Sequence, residues 1–401
     1  MNRYANLRGK ALLFLLFLWF IWFVNFTIRI IFAPILPLIE DEFAVSHSQA
    51  TGIFLFLSVG YSIAMIVSGL LSGRLGYKKS ITFSLLFLSA VVFLILMVHE
   101  FLFLYLFAFM LGFFVGLYLP AAITLITEYY SEKDWGKAIA IHDTGASSAV
   151  FAAPFIALFL LHFLPWRWIF TVFSCICMVC AIVFSFASIE VKITNPPKAV
   201  FSGLIAIKSL WIMSVIWIFV SAANIGIYSI TPLYLTKELQ LSIGYANAIL
   251  GLSRLGAIVV AIVCGFLIDR LNLRRMMFLV MIITSFLTVS MGVVSANYIG
   301  IVLFLQAFFV TAFFPVGLVA IARTFTREMR SLATGIINAI SMAVGGGLIP
   351  YFLGISGDTV SFRLGITILG VFVGLASILV FHLKELEQGN VKCNINQSKI
   401  S

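Results

Sequence analysis

Charge is scarce in this chain. Only 10% of its 401 residues are Asp, Glu, Lys or Arg, against about 25% in a soluble domain. Apolar residues reach 62%, more than a water-soluble domain can hide from solvent. Acidic residues are fewer than basic ones, 15 against 25, so the net charge is +10. The polar–apolar alternation of a transmembrane β-barrel is missing, because the apolar runs are continuous. Cysteine is sparse, with five. The C-x-C-x-x-C run of Cys175, Cys177 and Cys180 lies inside an apolar stretch, where the thiols read as small buried hydrophobes rather than as metal ligands. Neither a Ser-His-Asp set, a metal cluster, a phosphate-binding loop nor a nucleotide fold is present. An enzyme, a cofactor and a bound metal are therefore not expected, and direct drive by ATP is not either.

What is present is a series of apolar runs of about 20 residues or more, the length an α-helix needs to cross a bilayer. Twelve spans are expected, at about 11–37, 48–72, 80–98, 101–126, 136–161, 167–189, 209–236, 243–268, 275–296, 298–322, 331–354 and 362–383. The first is too long for a signal-peptide core, and Pro34 and Pro37 follow it where a cleavage site would lie. The predicted class is an all-α, multi-pass membrane protein.

The positive charge reports orientation, not nucleic-acid binding. With the N-terminus in the cytoplasm, 20 of the 25 Lys and Arg residues fall in inside segments. Arg167, Lys237 and Arg363 fall outside, and Arg29 and Arg254 fall within spans. Both termini are thus expected in the cytoplasm, and a bacterial inner membrane is the expected location.

The chain also reads against itself at an offset of 195–196 residues. The segment from Gly69 to Lys79, with Gly73, Arg74 and Gly76, lies over Gly265 to Arg275, with Asp269 and Arg270. Pro37 lies over Pro232, Gly60 over Gly256, and Pro120 over Pro315. The polar stretch 190–208, containing Asn195-Pro196-Pro197-Lys198, separates the copies. The expected organisation is a six-helix bundle at 1–189, a cytoplasmic linker at 190–208, a second bundle at 209–383 and a tail at 384–401. An even number of spans in each copy makes the repeats parallel, an arrangement that places a substrate site between them near mid-membrane.

These motifs resemble the major facilitator superfamily over nearly the whole chain. The loop after span 2 is similar to that family's G-x-L-a-D-R-x-G-R-R signature, and Gly265-x-Leu267-x-Asp269-Arg270 is its repeat. Trp166-Arg167-Trp168-Ile169-Phe170 and Gly116-x-x-x-Pro120 add to the likeness. The resemblance implies a twelve-helix secondary transporter working by alternating access, with Gly69, Arg74, Asp269 and Arg270 in its gating loops. Two departures stand out. Gly73 replaces the first loop's aspartate, and Ala108 stands where span 4 of the family carries an arginine linked to proton coupling. Gly145, Ala149 and Ala153-Pro154 read as small-residue helix packing and resemble a worn form of the family's span-5 antiporter motif. Arg29-x-x-Phe32-x-Pro34-x-x-Pro37 resembles span 1 of the superfamily's organic-anion and organophosphate branches. There the arginine binds the negative group of the substrate.

Charges within spans are costly, about 2.5–3.5 kcal/mol at mid-bilayer, and so are informative. Arg254 lies 11 residues before Gly265, roughly 16 Å from the end of span 8, with Asn247 and Gly251 on its face. Arg29 has Asn25 one turn away. The candidate substrate residues are Arg29, Arg254, Asn25, Asn224, Tyr228, Tyr61, Gln306 and Asn338. Asn224 is the repeat counterpart of Arg29, and Asn338 that of Asp143. Asp143 is the one acid within a span, and His142-Asp143 is the candidate proton-coupling pair. Glu128 is a candidate gate residue beside the basic loop after span 2.

Two buried guanidinium groups against one buried carboxylate leave a positive site that a carboxylate or phosphate ester would complete. The leading expectation is a monomeric secondary transporter of a small organic anion, coupled to protons. The alternatives are an efflux protein for apolar or zwitterionic compounds, with the 41 phenylalanines lining its cavity, and a non-transporting membrane sensor.

Overall fold

The computed structural model describes residue 4 and residues 7–190, 201–256, 260, 264 and 271–386, except for the side chains of 70, 201, 202, 327 and 328. A backbone without water must satisfy its own N–H and C=O groups, and the helix does so within one segment. Eleven helices among the described residues are long and apolar enough to cross a membrane. Numbered in chain order, helices 1–7 are Lys10–Phe43, His47–Gly69, Tyr77–Met97, Phe101–Tyr129, Glu132–Phe163, Trp166–Ala187 and Lys208–Glu238. Helices 9–12 are Leu273–Val293, Ile299–Thr324, Met329–Thr359 and Phe362–His382. The eighth place holds a shorter apolar helix, Ile243–Leu252.

Three departures from expectation have local causes. Helix 1 does not end near Pro34 and Pro37. The chain makes a single turn residue at Ile31 and restarts as Phe32–Phe43, with Pro34 in the new first turn, where its missing N–H costs nothing. The expected linker holds a short helix, Phe201–Ile205, while 191–200 lie outside the described residues. The helix that carries Arg254 is broken there. The N–H of Arg254 bonds the Gly251 carbonyl at 3.0 Å and that of Leu255 bonds Leu252 at 3.1 Å, a tightened turn rather than a regular helix. The rest of the expected span 8, with Asp269 and Arg270, is largely outside the described residues.

The internal repeat is visible as repeated contacts. In the first half, Arg167 pairs with Glu42 and donates to the Val98 carbonyl at 2.9 Å. In the second, Arg363 lies 3.8 Å from Glu238 and donates to the Val294 carbonyl at 3.4 Å. All three partners are shifted by 196 residues. Ser46 and Ser242, also 196 apart, each cap the helix that follows.

The halves meet away from the chain ends, at what we call the distal end. Asp358 of helix 11 accepts from the N–H groups of His47 and Ser48 at the start of helix 2. Asn247 of helix 8 donates to the Pro34 carbonyl at 3.0 Å. Helices 2 and 11 approach so closely here that a Cβ on Gly354 would lie 2.8 Å from the His47 carbonyl oxygen. At the proximal end a Cβ on Gly69 or Gly73 would meet nothing within 4 Å. Among the described residues the bundle is thus sealed distally, and the first gating loop faces open space.

Inside the first half, Gly112 of helix 4 lies directly on the backbone of helix 2, where a Cβ would strike the Leu57 carbonyl. Gly112→Ala should lower the thermal unfolding midpoint in detergent, because overpacking of this kind costs about 1–3 kcal/mol. Gly73→Ala should leave it unchanged. Both are read by tryptophan fluorescence on heating.

Candidate substrate cavity

Arg29 is 4% exposed. Its guanidinium lies over the Tyr61 ring at 4.0 Å and near the Phe26 ring at 5.4 Å, and it reaches the Met342 sulfur of helix 11 at 2.7 Å. It therefore points across to the other half, not to a headgroup region. Ring faces and a thioether offer partial negative charge but no ion. Asn25, one turn earlier, is fully buried, and both polar atoms of its side chain lack a partner among the described residues.

Arg254 is also 4% exposed. Its guanidinium donates to the Asn224 side-chain oxygen at 2.6 Å and the Asn224 carbonyl at 3.3 Å, and sits 5.1 Å from the Tyr228 ring centroid. Its Nε has no partner among the described residues. The local reason lies in helix 7. Residues Ala222–Gly226 form a π-helical turn, and two of its carbonyl groups accept side-chain bonds. Gln306 donates to one of these, Ala223, at 2.8 Å, and Arg254 takes the next, Asn224. A second π-helical turn, Met342–Leu348 in helix 11, carries the residue that Arg29 touches. Each buried arginine thus rests on a π-turn of the second half.

The halves hold their arginines in mirrored ways. In the first half the arginine is on the opening helix and the tyrosine, Tyr61, on the next. In the second half the tyrosine, Tyr228, is on the opening helix and Arg254 on the next. The Tyr228 hydroxyl reaches the Val150 carbonyl of helix 5 at 3.4 Å, so this pair also touches the opposite half. No carboxylate pairs with either arginine among the described residues.

Helix 5 separates the expected proton pair. His142 is fully buried, packed against the rings of both Trp22 and Tyr118 at 5.9 Å each, with its Nε2 3.2 Å from the Tyr118 hydroxyl. The Tyr118 hydroxyl donates to the Leu18 carbonyl, so the His142 Nε2 carries the hydrogen. Asp143, about 100° around the helix, is exposed and within electrostatic range of Tyr61. It lies on the side of Arg29 and Tyr61, whereas His142 lies inside the first half. Asn338 is half-buried and accepts from Ser341 through its carbonyl.

At the proximal end Glu128 and Arg74 are exposed, and Glu128 lies within electrostatic range of Tyr77. The loop after helix 2 is instead held by Glu190, which accepts from the Lys78 N–H at 3.3 Å. Sequence reasoning missed Met342, Glu190 and the distal charges Glu40, Asp41, His47, Lys237 and Asp358. The repeat offset could have found part of the last group, since Asp41 and Lys237 are 196 apart.

Comparison with known proteins follows from this geometry. The chain is 26% identical over 285 residues to the Chloramphenicol resistance protein CraA of Acinetobacter baumannii, and spans 66% of each chain, just under two thirds of that relative's length. Its fold matches a bacterial homolog of the human lysosomal transporter Spinster in an inward-facing, occupied conformation, with a TM-score of 0.78 at 16% identity, over 94% of this chain and 98% of that one. It also matches a D-xylose-proton symporter, with a TM-score of 0.75 at 15% identity, over 93% and 97%. A family model described as Major Facilitator Superfamily matches residues 18–295 and 218–397, and the chain belongs to that superfamily.

Proposed function

We propose that this protein is a secondary active transporter of a small organic anion, a carboxylate or phosphate ester, coupled to protons. The bundles at 1–189 and 209–383 rock about a site between them, both termini lie in the cytoplasm, and the membrane is the bacterial inner membrane. One observation carries the choice of cargo. Arg29 and Arg254 are both buried, and neither has a carboxylate partner among the described residues. A buried ion without a counter-ion is costly, and aromatic faces and a carbonyl offset only part of that cost. A planar anion accepts from a guanidinium through two parallel bonds and supplies the missing charge. Tyr61 and Tyr228 hold the two forks, Asn25, Asn224, Gln306 and Asn338 provide polar support, and Asp143 carries the coupling proton.

The anion would bind with the distal end closed, in contact with Arg29 from the first half and Arg254 from the second. Because these groups belong to different bundles, the ligand's two ends bias how the bundles sit against each other. That is the differential interaction a ligand needs in order to shift a conformational equilibrium.

A second reading is efflux of apolar compounds. Two observations favour it: the similarity to the chloramphenicol resistance protein, and an apolar groove of about 650 Å³ between helices 1, 5 and 6. Its wall includes Phe20, Phe23, Phe151, Phe155 and Phe159.

Uptake into proteoliposomes under an imposed pH gradient separates the two. Carboxylates and phosphate esters should include one that accumulates, while chloramphenicol and a cationic dye should not move. Arg254→Ala and Arg29→Gln should each reduce that uptake by more than about tenfold, as expected when a charge-assisted bond worth about 1.5–3 kcal/mol is lost from a buried site. Anion uptake unchanged in both variants removes the anion site, and movement of chloramphenicol alone favours the second reading. Asp143→Asn should leave anion exchange intact and stop gradient-driven accumulation. Accumulation that persists in Asp143→Asn assigns that residue a structural role.

A further inference from the structure

The distal seal has an electrostatic construction that the substrate reading does not use. Lys237, at the end of helix 7, pairs with Asp41 at the end of helix 1 and lies 3.6 Å from a Glu40 oxygen. Asp41 and Lys237 occupy equivalent positions in the two repeats, so the pseudo-symmetric positions carry opposite charges and bind each other across the interface. The other Glu40 oxygen is taken by the His47 Nδ1 at 2.8 Å. Glu40 is 6% exposed and therefore shared between an imidazole of its own half and an ammonium of the other. Asp358, from the second half, closes the arrangement by accepting from the backbone N–H of His47 at 2.8 Å and of Ser48 at 2.9 Å. The His47 ring packs against Phe362 of helix 12 at 5.0 Å.

The groups that face His47 are thus Glu40 from helix 1, Asp358 from helix 11, Lys237 from helix 7 and the apolar Phe362 from helix 12. Glu40 and Asp41 meet the ammonium of Lys237, while Asp358 faces His47 from the other half. When His47 is protonated it donates to Glu40 and adds a positive charge that attracts Asp358 across the interface and, more weakly, repels Lys237 there. When it is neutral, acidic groups of the two halves face each other with one cation between them. Like charges facing across a closed interface oppose closure. Histidine is the side chain that changes charge in the range of about pH 5 to 8.

We propose that His47, Glu40, Asp41, Lys237 and Asp358 form a proton-sensing latch that holds the distal end closed when His47 is charged and releases it when His47 is neutral. The sign is set by the geometry. Closure is favoured at low pH, and the stabilisation is lost as pH rises through the titration of His47. A proton arriving from the distal side would then close that side and turn the cavity toward the proximal end. The device is separate from Asp143 and from both arginines. It rests on the alternating-access reading, but its test reads the opening of the distal end and not uptake, so loss of one leaves the other standing.

The test is a distance measurement in lipid nanodiscs by pulsed electron resonance. Spin labels are placed at Glu100→Cys and Tyr245→Cys, exposed distal positions of the two halves, with the five native cysteines replaced. At pH 5.5 the short distance should dominate. At pH 8 the population with a longer distance should rise by at least about fivefold, the lower end of typical coupling between sites. His47→Gln, which keeps a hydrogen-bond donor but no titratable charge, should flatten this pH response. Lys237→Met should raise the long-distance population at both pH values. The proposal is overturned by an unchanged pH response in His47→Gln, by a long-distance population that grows on acidification, or by a Lys237→Met protein as closed as the parent. A melting curve on each variant shows whether it is folded, and Asp358→Asn gives an independent second opening variant if Lys237→Met is not.

Discussion

The constraint behind most of this structure is the cost of keeping a guanidinium group away from water without a counter-ion. Arg29 and Arg254 meet it in different ways. Arg254 takes the side-chain oxygen and carbonyl of Asn224, which lies in a π-helical turn, and a tyrosine face. Arg29 has two ring faces and a thioether from the other half. Neither set neutralises a full charge. The surrounding irregularities, two π-turns and a tightened turn at Arg254, lie where these residues are held.

The same scarcity of charge makes the distal end intelligible. Within the spans charged groups are rare, whereas carboxylates and cations gather at the distal rim and knit helices 1, 2, 7 and 11 together. Close packing supports them. Glycines of helix 11 let it lie against helix 2, so the rim bonds act over a short gap. At the proximal end Gly69 and Gly73 meet no neighbour among the described residues, and the loop after helix 2 has a local support in Glu190. Among the described residues the two ends therefore differ in how tightly the halves are joined.

The π-turns Ala222–Gly226 of helix 7 and Met342–Leu348 of helix 11 interrupt the regular ladder of their helices. Both touch an arginine, and Gly226 and Gly345 let them lie against each other, with a Cβ on Gly226 only 3.0 Å from the Gly345 carbonyl oxygen. A ligand bound at the guanidinium groups would therefore act on these turns directly.

Much of the architecture was legible in the chain. Apolar run lengths marked the helices, because bilayer thickness sets a length that any sequence of sufficient hydrophobicity satisfies. The repeat offset of 196 reappears in the paired distal clusters of Arg167 with Glu42 and Arg363 with Glu238, contacts that the sequence reading did not name. That Arg254 lies buried followed from its distance to either end of its span, whereas Arg29 lies nearer the outer surface in sequence and its burial is a finding of the structure. Partners were another matter. Arg29 meets a methionine 313 positions along, and Lys237 meets an aspartate 196 positions back. His142 and Asp143 looked like a pair because they are neighbours in the chain, yet the 100° step of the helix turns one into the bundle and the other toward Tyr61. Hydropathy and spacing act along one segment at a time, so they determine which stretches cross the membrane. Which side chains converge depends on how helices far apart in the chain pack, and only the folded bundle decides that.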